Sequence, residues 1–568
     1  MTGSNRELFG VFGGPDAFGR HADPGEFDRV LEGDAVTVGV RDDALDRPTR
    51  TDVHSDDVGC CVIWGEVHTP SDGGDAARWL LDRYATDGRA ALSGLNGSYL
   101  AVVERDGEAL VATDVLRTRE CFHADTRTGR AFGSDPVRVA SAHGSPTVDP
   151  HGVLQFLYLG VVLGARTPLR ELSRVRTDAV LTRDDVEPLD RLRYDPREFD
   201  YASALAERLE RALDRRVTGR GRTGLLLGAG YDSRAILAAH PGIDVCYTVG
   251  TSASSEVRGA ERLAAQYDTA HVRLGPDDDH LVPSTPEIAA SQGIRETIHI
   301  HHGGREHDMD VDEMFHGMLF DTLFRNYFLP TAAIEVGDLT VPFPWLDSDP
   351  ELVPAYKDSL EYTDPGVNFV ERCDAVDTDD PDTFLRRALE RELSHCYERC
   401  DRRLNAFTQL GIRILPMIPF RNHLADQFDE RFVAADTALV EWHLRTPPEH
   451  RTTETFLRAV RSLDDGLLRH RPPDRPFDSP WLNEVASFLE RSLPVGDAYR
   501  SPWPDRVQLY EANDLDRKLL AESPELHDTP IRFKLRLNDL STWLEHLRTR
   551  YSTTDVSTDS VPSSVLVG

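Results

Sequence analysis

The sequence predicts an α/β protein with two main parts. Short apolar runs separated by turns dominate roughly the first 150 residues, a pattern typical of a domain with several strands and few helices. Farther along the chain, strand-like runs at 224–227, 246–250 and 272–274 alternate with segments of helical periodicity. Because strand–helix–strand alternation favours parallel pairing with helices on both faces, we expect a doubly wound parallel sheet in the second part.

The elements of the first part follow from the local pattern of the sequence. A helix is expected at 76–85, and strands are expected at 8–14, 60–67, 95–103 and 109–114, the last two as a hairpin-like pair. This succession of strands with few helices predicts a layered α/β domain over residues 1–148.

The rest of the chain divides where its pattern changes. We expect a connecting segment at 149–200, the parallel-sheet domain at 201–500, a helical C-terminal extension at 501–550 and a disordered tail at 551–568. Helical periodicity dominates 384–480. The tail is rich in Ser, Thr and Val and has no helical period, as is typical of a frayed terminus.

The charge of the chain bears on its partners and its setting. The 568 residues include 97 acidic and 64 basic side chains, which gives a formal net charge of −33. The lysines are Lys357, Lys518 and Lys534, so arginine supplies nearly all the positive charge. An acidic excess with so little lysine predicts a halophilic protein, since high ionic strength screens its self-repulsion. The same charge argues against non-specific binding to nucleic acid.

Cysteines and apolar runs indicate the compartment. Seven cysteines, an odd number in a long chain, fit a reducing cytosol and not a disulfide framework. The sequence shows no apolar run near the ~20 residues that span a bilayer and no apolar signal region at the N-terminus. We therefore expect a cytoplasmic protein without a membrane partner. A homo-oligomer is possible, and the sequence does not decide it.

Two groups of residues have the chemistry of metal ligands. The first group would lie near one helix face and consists of His395, Cys396 and Cys400. The second alternates in a way that suggests a strand edge and consists of His299, His301, His302 and His307. The cysteines lack a second ligand pair at metal-site spacing, so structural roles are the alternative for both groups.

The most informative segment is 225–233, an apolar run followed by two glycines, an acidic residue and a hydroxyl. A helical pattern begins directly after it. A buried strand that runs through a glycine turn into a helix presents backbone N–H groups to an anion, and the helix dipole favours negative charge there. The segment is not a Walker A loop, because no lysine lies near it. We expect a phosphate site, with an ordinary strand–turn–helix junction as the alternative.

This segment resembles the pyrophosphate loop Ser-Gly-Gly-x-Asp-Ser of the asparagine synthetase family and other PP-loop ATP pyrophosphatases. Gly230, Asp232 and Ser233 match that motif. Gly228 replaces its first serine, and Ala229 replaces its first glycine.

The segment 314–327 resembles a second motif of the same family, Ser-Gly-Glu-Gly-x-Asp-Glu-Leu-Phe-Gly-Gly-Tyr. The residues on matching positions are Gly317, Asp321, Leu323, Phe324 and Tyr327. Because the two motifs occur in the order and at the spacing of the family, the resemblance implies a PP-loop synthetase domain.

The resemblance also implies ATP and Mg²⁺, together with the residues that hold them. Gly228, Gly230 and Ser233 would cradle pyrophosphate, and the nucleotide site would be lined by Leu226, Val249, His316 and Gly317. Asp232 and Asp321 would carry Mg²⁺, which prefers carboxylates together with phosphate oxygens. In this family a carboxylate attacks the α-phosphate of ATP, and a nitrogen nucleophile then displaces AMP to form an amide.

Two polar positions of the family are missing from this chain. Met318 stands in place of the motif's glutamate, and Asp474 stands where the family has a lysine that steadies the developing charge. Arg475 is the neighbouring cation, and we expect it to act with the two aspartates in catalysis, with Arg471 as second choice. These losses leave an alternative, a catalytically degenerate ATP-binding homologue with a regulatory or interaction role.

The first part resembles the N-terminal glutaminase domain of asparagine synthetases, which is an N-terminal-nucleophile (Ntn) hydrolase fold. The likeness rests on 65–67, 95–97, Asp114 and 132–135. Alignment of the family's first residues with 10–13 puts Phe9 on the position of the nucleophilic cysteine. We therefore expect no glutaminase activity, as in β-lactam synthetases. The substrates would be a small-molecule carboxylate and ammonia or an amine.

Overall fold

The computed structural model describes residues 4–70, 75–240, 242–276, 280–329, 333–336, 339–342, 351–473, 475, 477, 482–483, 505–521 and 523–551. Asp474 and nearly all of the predicted tail at 551–568 lie outside these residues. None of the helices in the described ranges combines the length and the apolar character that a membrane span needs.

The first part of the chain is built mainly from strands. The strands are β1 (Glu7–Val11), β2 (Arg29–Glu32), β3 (Thr37–Arg41), β4 (Asp52–Asp56), β5 (Gly59–His68), β6 (Asn96–Arg105), β7 (Glu108–Thr113), β8 (Phe122–Thr126), β9 (Gly129–Gly133), β10 (Ser173–Arg174), β11 (Ala179–Thr182) and β12 (Val186–Pro188). The helices are α1 (Pro15–Phe18), α2 (Ala76–Asp87), α3 (Pro136–His143) and α4 (Pro150–Leu159).

These strands form two six-stranded antiparallel sheets, ordered β10-β8-β9-β1-β3-β2 and β12-β11-β7-β6-β5-β4. Alternate residues of each strand face opposite sides. Leu8 therefore packs between the sheets, whereas Phe9 packs against α1, α3 and α4. Helix α2 covers the outer face of the second sheet. The resulting helix–sheet–sheet–helix arrangement confirms the predicted layered α/β domain.

The second part alternates strands and helices. Its strands are β13 (Thr223–Leu226), β14 (Val245–Val249), β15 (Ala270–Leu274), β16 (Glu313–Phe315), β17 (Ala333–Val336), β18 (Leu339–Pro342) and β19 (Asp429–Arg431). Its helices up to residue 463 are α5 (Tyr201–Arg216), α6 (Asp232–Ala239), α7 (Ser255–Gln266), α8 (Thr285–Ser291), α9 (Phe320–Arg325), α10 (Leu352–Ser359), α11 (Pro381–Tyr397), α12 (Arg403–Ile414), α13 (Ile418–Gln427), α14 (Thr437–Arg445) and α15 (Thr453–Leu463).

Five of these strands form one parallel sheet in the order β15-β14-β13-β16-β19. Leu225 and Phe315 pack toward one set of helices, and Tyr247 and Met314 pack toward the other face. The predicted doubly wound parallel sheet is confirmed. From β13 the chain adds β14 and β15 on one side of β13, and it then crosses to place β16 on the other side. The topological switch point of the sheet therefore lies between β13 and β16.

Three further helices follow, α16 (Arg506–Ala512), α17 (Leu515–Leu519) and α18 (Ile531–Tyr551). Helix α18 packs against α3, α4 and α8 through apolar side chains that include Leu540 and Trp543. The buried Arg536 donates to Glu296 at 2.9 Å and to the carbonyl of Tyr158 at 2.9 Å. The C-terminal helix therefore joins the end of the chain to both parts of the fold.

One prediction about local structure is wrong. The histidines from 299 to 307 do not lie on a strand edge, because Thr297–His299 forms a 3-10 turn and 301–304 are turns. His302 is fully buried, and its Nε2 lies 3.1 Å from Nδ1 of His423. The alternating pattern therefore reflects packing of a compact turn against α13.

Candidate active site

Two loops meet at the switch point of the parallel sheet. The loop after β13 leads into α6, and the loop after β16 leads into α9. A β-carbon on Gly317 would lie 2.7 Å from the backbone carbon of Asp232 and 2.7 Å from the nitrogen of Ser233. Only glycine allows this approach, so the residue brings the two predicted motifs into direct contact.

Side chains hold the loop between β13 and α6 in place. The N–H of Gly228 donates to Oγ of Ser233 at 3.0 Å, and the N–H of Ala229 donates to Oε1 of Glu256 at 2.6 Å. The buried Arg234 donates to the carbonyls of Ala229 and Gly230 at 2.7 and 3.2 Å. Two N–H groups of the predicted phosphate cradle are therefore engaged within the chain, and an entering phosphate would compete with Ser233 and Glu256 for them.

The carboxylate of Asp232 lies in the first turn of α6 and pairs with Arg325 at the end of α9. One guanidinium nitrogen, Nη2, donates to both carboxylate oxygens, at 2.9 and 2.8 Å. Burial raises the pKa of Asp232 to about 6, with a further contribution from the charge of Asp321 and against the opposing effect of Arg325. Asp232 therefore depends on neighbouring cations to keep its charge.

The second predicted carboxylate, Asp321, lies in the first turn of α9. Its Oδ1 accepts the N–H of Thr322 at 2.6 Å. Leu319, which precedes the helix, has a left-handed backbone with φ of 69°, at the position where the family motif has a glycine. Asp321 forms no ion pair with the residues that the structure describes, in contrast to Asp232.

His316 is buried directly after β16. The N–H of Met318 donates to its Nδ1 at 3.4 Å, so Nε2 carries the proton that is shared with Oε1 of Glu430 at 2.9 Å. Glu430 is also held by Nε of Arg421 at 2.7 Å. Although burial disfavours its charge, Arg421 and His316 lower the pKa of Glu430 to about 2. This network fixes the ring of His316 beside Gly317.

The same arginine links the site to the first part of the chain. Nη2 of Arg421 donates to Oγ of Ser98 on β6 at 2.6 Å, and its Nη1 donates to the carbonyl of Thr118. The orientation of His316 therefore depends on contacts between the two parts of the fold.

Arg475 lies beside the loop that leads into α6. Its guanidinium carbon is 5.3 Å from the ring centre of Tyr231, and its charge acts on Asp232. Arg325 also lies near this ring, at 5.8 Å. Two arginines and one tyrosine therefore surround the carboxylate of Asp232.

A cavity of about 380 Å³ opens beside the two loops. Six of the predicted residues line it: Leu226, Asp232, Ser233, His316, Gly317 and Asp321. Gly228, Gly230, Val249 and Arg475 are not among its lining residues. Val249 ends the neighbouring strand β14 and is partly buried against Leu274 of β15. The predicted site is therefore assembled around the switch point, with Val249 one strand away.

The structure adds residues that the sequence interpretation missed. Arg325, Glu256 and Arg532 all reach the loops or the cavity. Arg532 of α18 donates to Glu296 at 2.6 Å, so the C-terminal helix contributes to the cavity wall. A signal existed for Arg325, because it replaces a glycine of the second family motif. No local pattern marked the other two.

Phe9, which stands in place of the family's cysteine, is fully buried in the middle of β1. Its ring centre lies 5.6 Å from that of Phe18. Its backbone is paired with Gly39 and Gly133 on either side. The side chain at this position therefore faces the core.

The described residues contain no group of three or more His, Cys, Asp or Glu side chains arranged for a metal ion. Cys396 donates to the carbonyl of Glu392 at 3.5 Å, and Cys400 donates to Oε1 of Gln409 at 3.4 Å. Burial raises the pKa of the Cys396 thiol to about 12. In the described part of the chain, neither thiol therefore belongs to a group of three or more potential metal ligands.

No protein-family model matches this chain, and no curated protein matches it significantly. Among solved structures, one match is described as the allosteric regulatory enzyme of purine biosynthesis, with a TM-score of 0.22 and 11% identity over 55% of this chain and 74% of the other. Another is the glutamine phosphoribosylpyrophosphate amidotransferase from B. subtilis complexed with ADP and GMP, with a TM-score of 0.22 and 11% identity over 55% of this chain and 69% of the other.

Proposed function

We propose that the cavity beside β13 and β16 binds ATP and that the protein is an ATP-dependent, AMP-forming ligase of the asparagine synthetase type. The contact between Gly317 and the Asp232–Ser233 backbone carries this proposal. It joins a glycine turn, a helix N-terminus and two carboxylates at the switch point of a parallel sheet, where such sheets bind ligands.

The residues suggest how the chain would act on its substrates. Ser233 and the loop N–H groups would hold the phosphates, and His316 and Gly317 would shape the wall beside them. Arg475 would lie near the charge that develops when a carboxylate attacks the α-phosphate. The chain would work mainly by positioning the two reactants in one cavity.

The donor set fits a magnesium ion bound together with the nucleotide. Asp321 lines the cavity, and its charge contributes to the raised pKa of the adjacent Asp232. Carboxylates with phosphate oxygens and water are the ligands that Mg²⁺ prefers. The ion would neutralise phosphate charge, and Asp321 would hold it.

We propose ammonia or an amine as nitrogen donor, because Phe9 offers no nucleophile for glutamine. Its burial in the core of β1 supports this part of the proposal. Formation of amide product with ammonia but not with glutamine would agree with it. Equal product yield with glutamine, in a preparation free of other amidotransferases, would contradict it.

A second function is favoured by Met318 and by the Arg325–Asp232 ion pair. Met318 lines the cavity where the family has a glutamate, and Arg325 engages a carboxylate of the predicted metal site. Both features fit a nucleotide-binding protein without turnover, with a regulatory or interaction role.

Exchange of labelled pyrophosphate into ATP separates the two functions. An adenylating enzyme catalyses this exchange when its carboxylate substrate is present, so a panel of carboxylic acids is screened with Mg-ATP. Exchange that is lost in Asp321→Asn supports the ligase. Tight ATP binding with no exchange for any acid favours the regulator, and the absence of both contradicts the ATP site itself.

A further inference from the structure

Arg325 limits the binding of a metal ion at Asp232. Its side chain is 10% exposed, and its Nη2 lies within 2.9 Å of both oxygens of Asp232. The guanidinium carbon lies 5.8 Å from the ring centres of both Tyr231 and Phe456. The ion pair lies beside two aromatic rings and is mostly buried, so a metal ion would have to displace it.

At this position the sequence differs from the family motif. The second family motif ends Leu-Phe-Gly-Gly-Tyr, whereas this chain has Leu-Phe-Arg-Asn-Tyr at 323–327. Arg325 ends α9, and Asn326 follows with φ of 52°, a conformation that glycine or asparagine adopts readily. A guanidinium therefore stands where the motif has no side chain.

The charges in the site also disfavour the binding of a metal ion at Asp232. Asp232 and Asp321 supply two negative charges, and Arg325 and Arg475 supply two positive charges that act on Asp232. Two bare carboxylates attract a divalent cation, but a pair already compensated by two arginines does so much less. Nη1 of Arg325 makes no hydrogen bond with the described residues, and its partner Asp232 lines the cavity.

We propose that Arg325 takes, at Asp232, the place of a divalent cation. The free protein then binds no free metal at Asp232, and the guanidinium itself contacts the phosphates of an entering nucleoside triphosphate. Arginine suits this role because its planar fork binds phosphate through paired N–H donors and stays charged at every working pH. This inference rests on the proposed ATP site.

Two binding measurements test it without any turnover. Mn²⁺, followed by its electron paramagnetic resonance signal, reports metal binding to the free protein, and calorimetry reports ATP binding in Mg²⁺ and in EDTA. The variants are Arg325→Gly, which restores the motif residue, and Arg325→Lys, which keeps the charge but not the fork. Arg222→Ala, which removes an exposed ion pair to Asp310, is the matched control.

We expect wild type and Arg222→Ala to bind no Mn²⁺ in the absence of nucleotide and to bind ATP in EDTA. Arg325→Gly should gain Mn²⁺ binding and lose about tenfold or more in ATP affinity in EDTA, the usual effect of removing one charge-assisted hydrogen bond. In Mg²⁺ its loss should be smaller, and Arg325→Lys should be intermediate.

Each of the remaining results would contradict a stated part of this inference or of the proposed function. Mn²⁺ binding by the free wild type, or ATP binding that EDTA abolishes, overturns the role of Arg325 and leaves the proposed ATP site intact. Failure of every variant to bind ATP in either buffer overturns the proposed function and the inference with it. Unchanged ATP affinity of folded Arg325→Gly in EDTA assigns the phosphate contact to other residues.

Discussion

Arg216 of α5 and Glu66 of β5 form a fully buried ion pair, with Nε of the arginine 2.7 Å from Oε1 of the glutamate. Nη1 of the same guanidinium lies 2.9 Å from Oδ2 of the buried Asp436. Glu66 belongs to the antiparallel sheets, and Arg216 and Asp436 belong to the part that contains the parallel sheet. One arginine therefore compensates two buried carboxylates at the junction of the two parts.

Replacing Arg216 with methionine should strongly destabilise the protein. The change removes the cation that Glu66 and Asp436 share and leaves them with Arg215 at 3.4 Å from Asp436 and His68 at 3.1 Å from Glu66. Breaking a buried pair by removing one partner costs about 3–5 kcal/mol. The free energy of unfolding in urea measures the effect. Arg83→Met, which removes an exposed pair to Asp87 within α2, is the control and should change stability by about 0.5 kcal/mol or less. Equal losses in the two variants would contradict the role assigned to Arg216.

The contribution of Glu430 to stability should depend on pH. Its pKa is about 2 in the folded protein and about 4.3 in an unfolded chain, so the unfolded state binds more protons between these values. The stabilisation is therefore fully present above about pH 4.3 and is lost as the pH falls toward 2. The difference in unfolding free energy between wild type and Glu430→Gln should be largest near pH 7 and should shrink below pH 4. A difference that is constant from pH 7 to pH 3 would argue against this ionisation.

Gly317→Ala should disturb the nucleotide site more than the rest of the fold. The added β-carbon would lie 2.7 Å from the backbone at Asp232 and Ser233, so the two loops must separate. We expect a loss of about 1–3 kcal/mol in stability, typical of overpacking, together with weaker ATP binding by calorimetry. At Gly14 an added β-carbon meets no atom within 4 Å, so Gly14→Ala serves as the control and should bind normally. Full ATP affinity in Gly317→Ala would show that contact between the loops is not required.

Arg475→Ala should slow pyrophosphate exchange by about 10²-fold, the scale on which one charge-stabilising donor acts. The guanidinium lies beside Tyr231 and influences Asp232, which places it near the proposed phosphates. Arg471 is exposed, so Arg471→Ala is the matched control and should retain most of the exchange rate. If exchange is equally fast in both variants, Arg475 only packs beside Tyr231 and does not act on the reaction.

The sequence by itself determined the type of several elements and predicted where the site lies. Strand periodicity, helical periodicity and glycine turns are local properties, so 224–227, 246–250 and 76–85 could be assigned to the correct element type. The family resemblance of the two motifs also implied that Asp232 and Asp321 lie close together, and both lie in the first turn of helices that follow neighbouring parallel strands.

Tertiary structure decided which side chains meet across long distances in the chain. Arg325 reaches Asp232, Glu256 caps the N–H of Ala229, and Arg532 comes to the cavity from a helix more than 200 residues beyond the loop. The replaced motif glycine marks Arg325 but not its partner, and no local pattern marks Glu256 or Arg532, because each contact depends on how separate helices pack. The ion pair of Arg216 with Glu66 and the hydrogen bonds of Arg421 to Ser98 and Thr118 likewise exist only after the two parts of the chain bury a common surface, where polar groups must find partners.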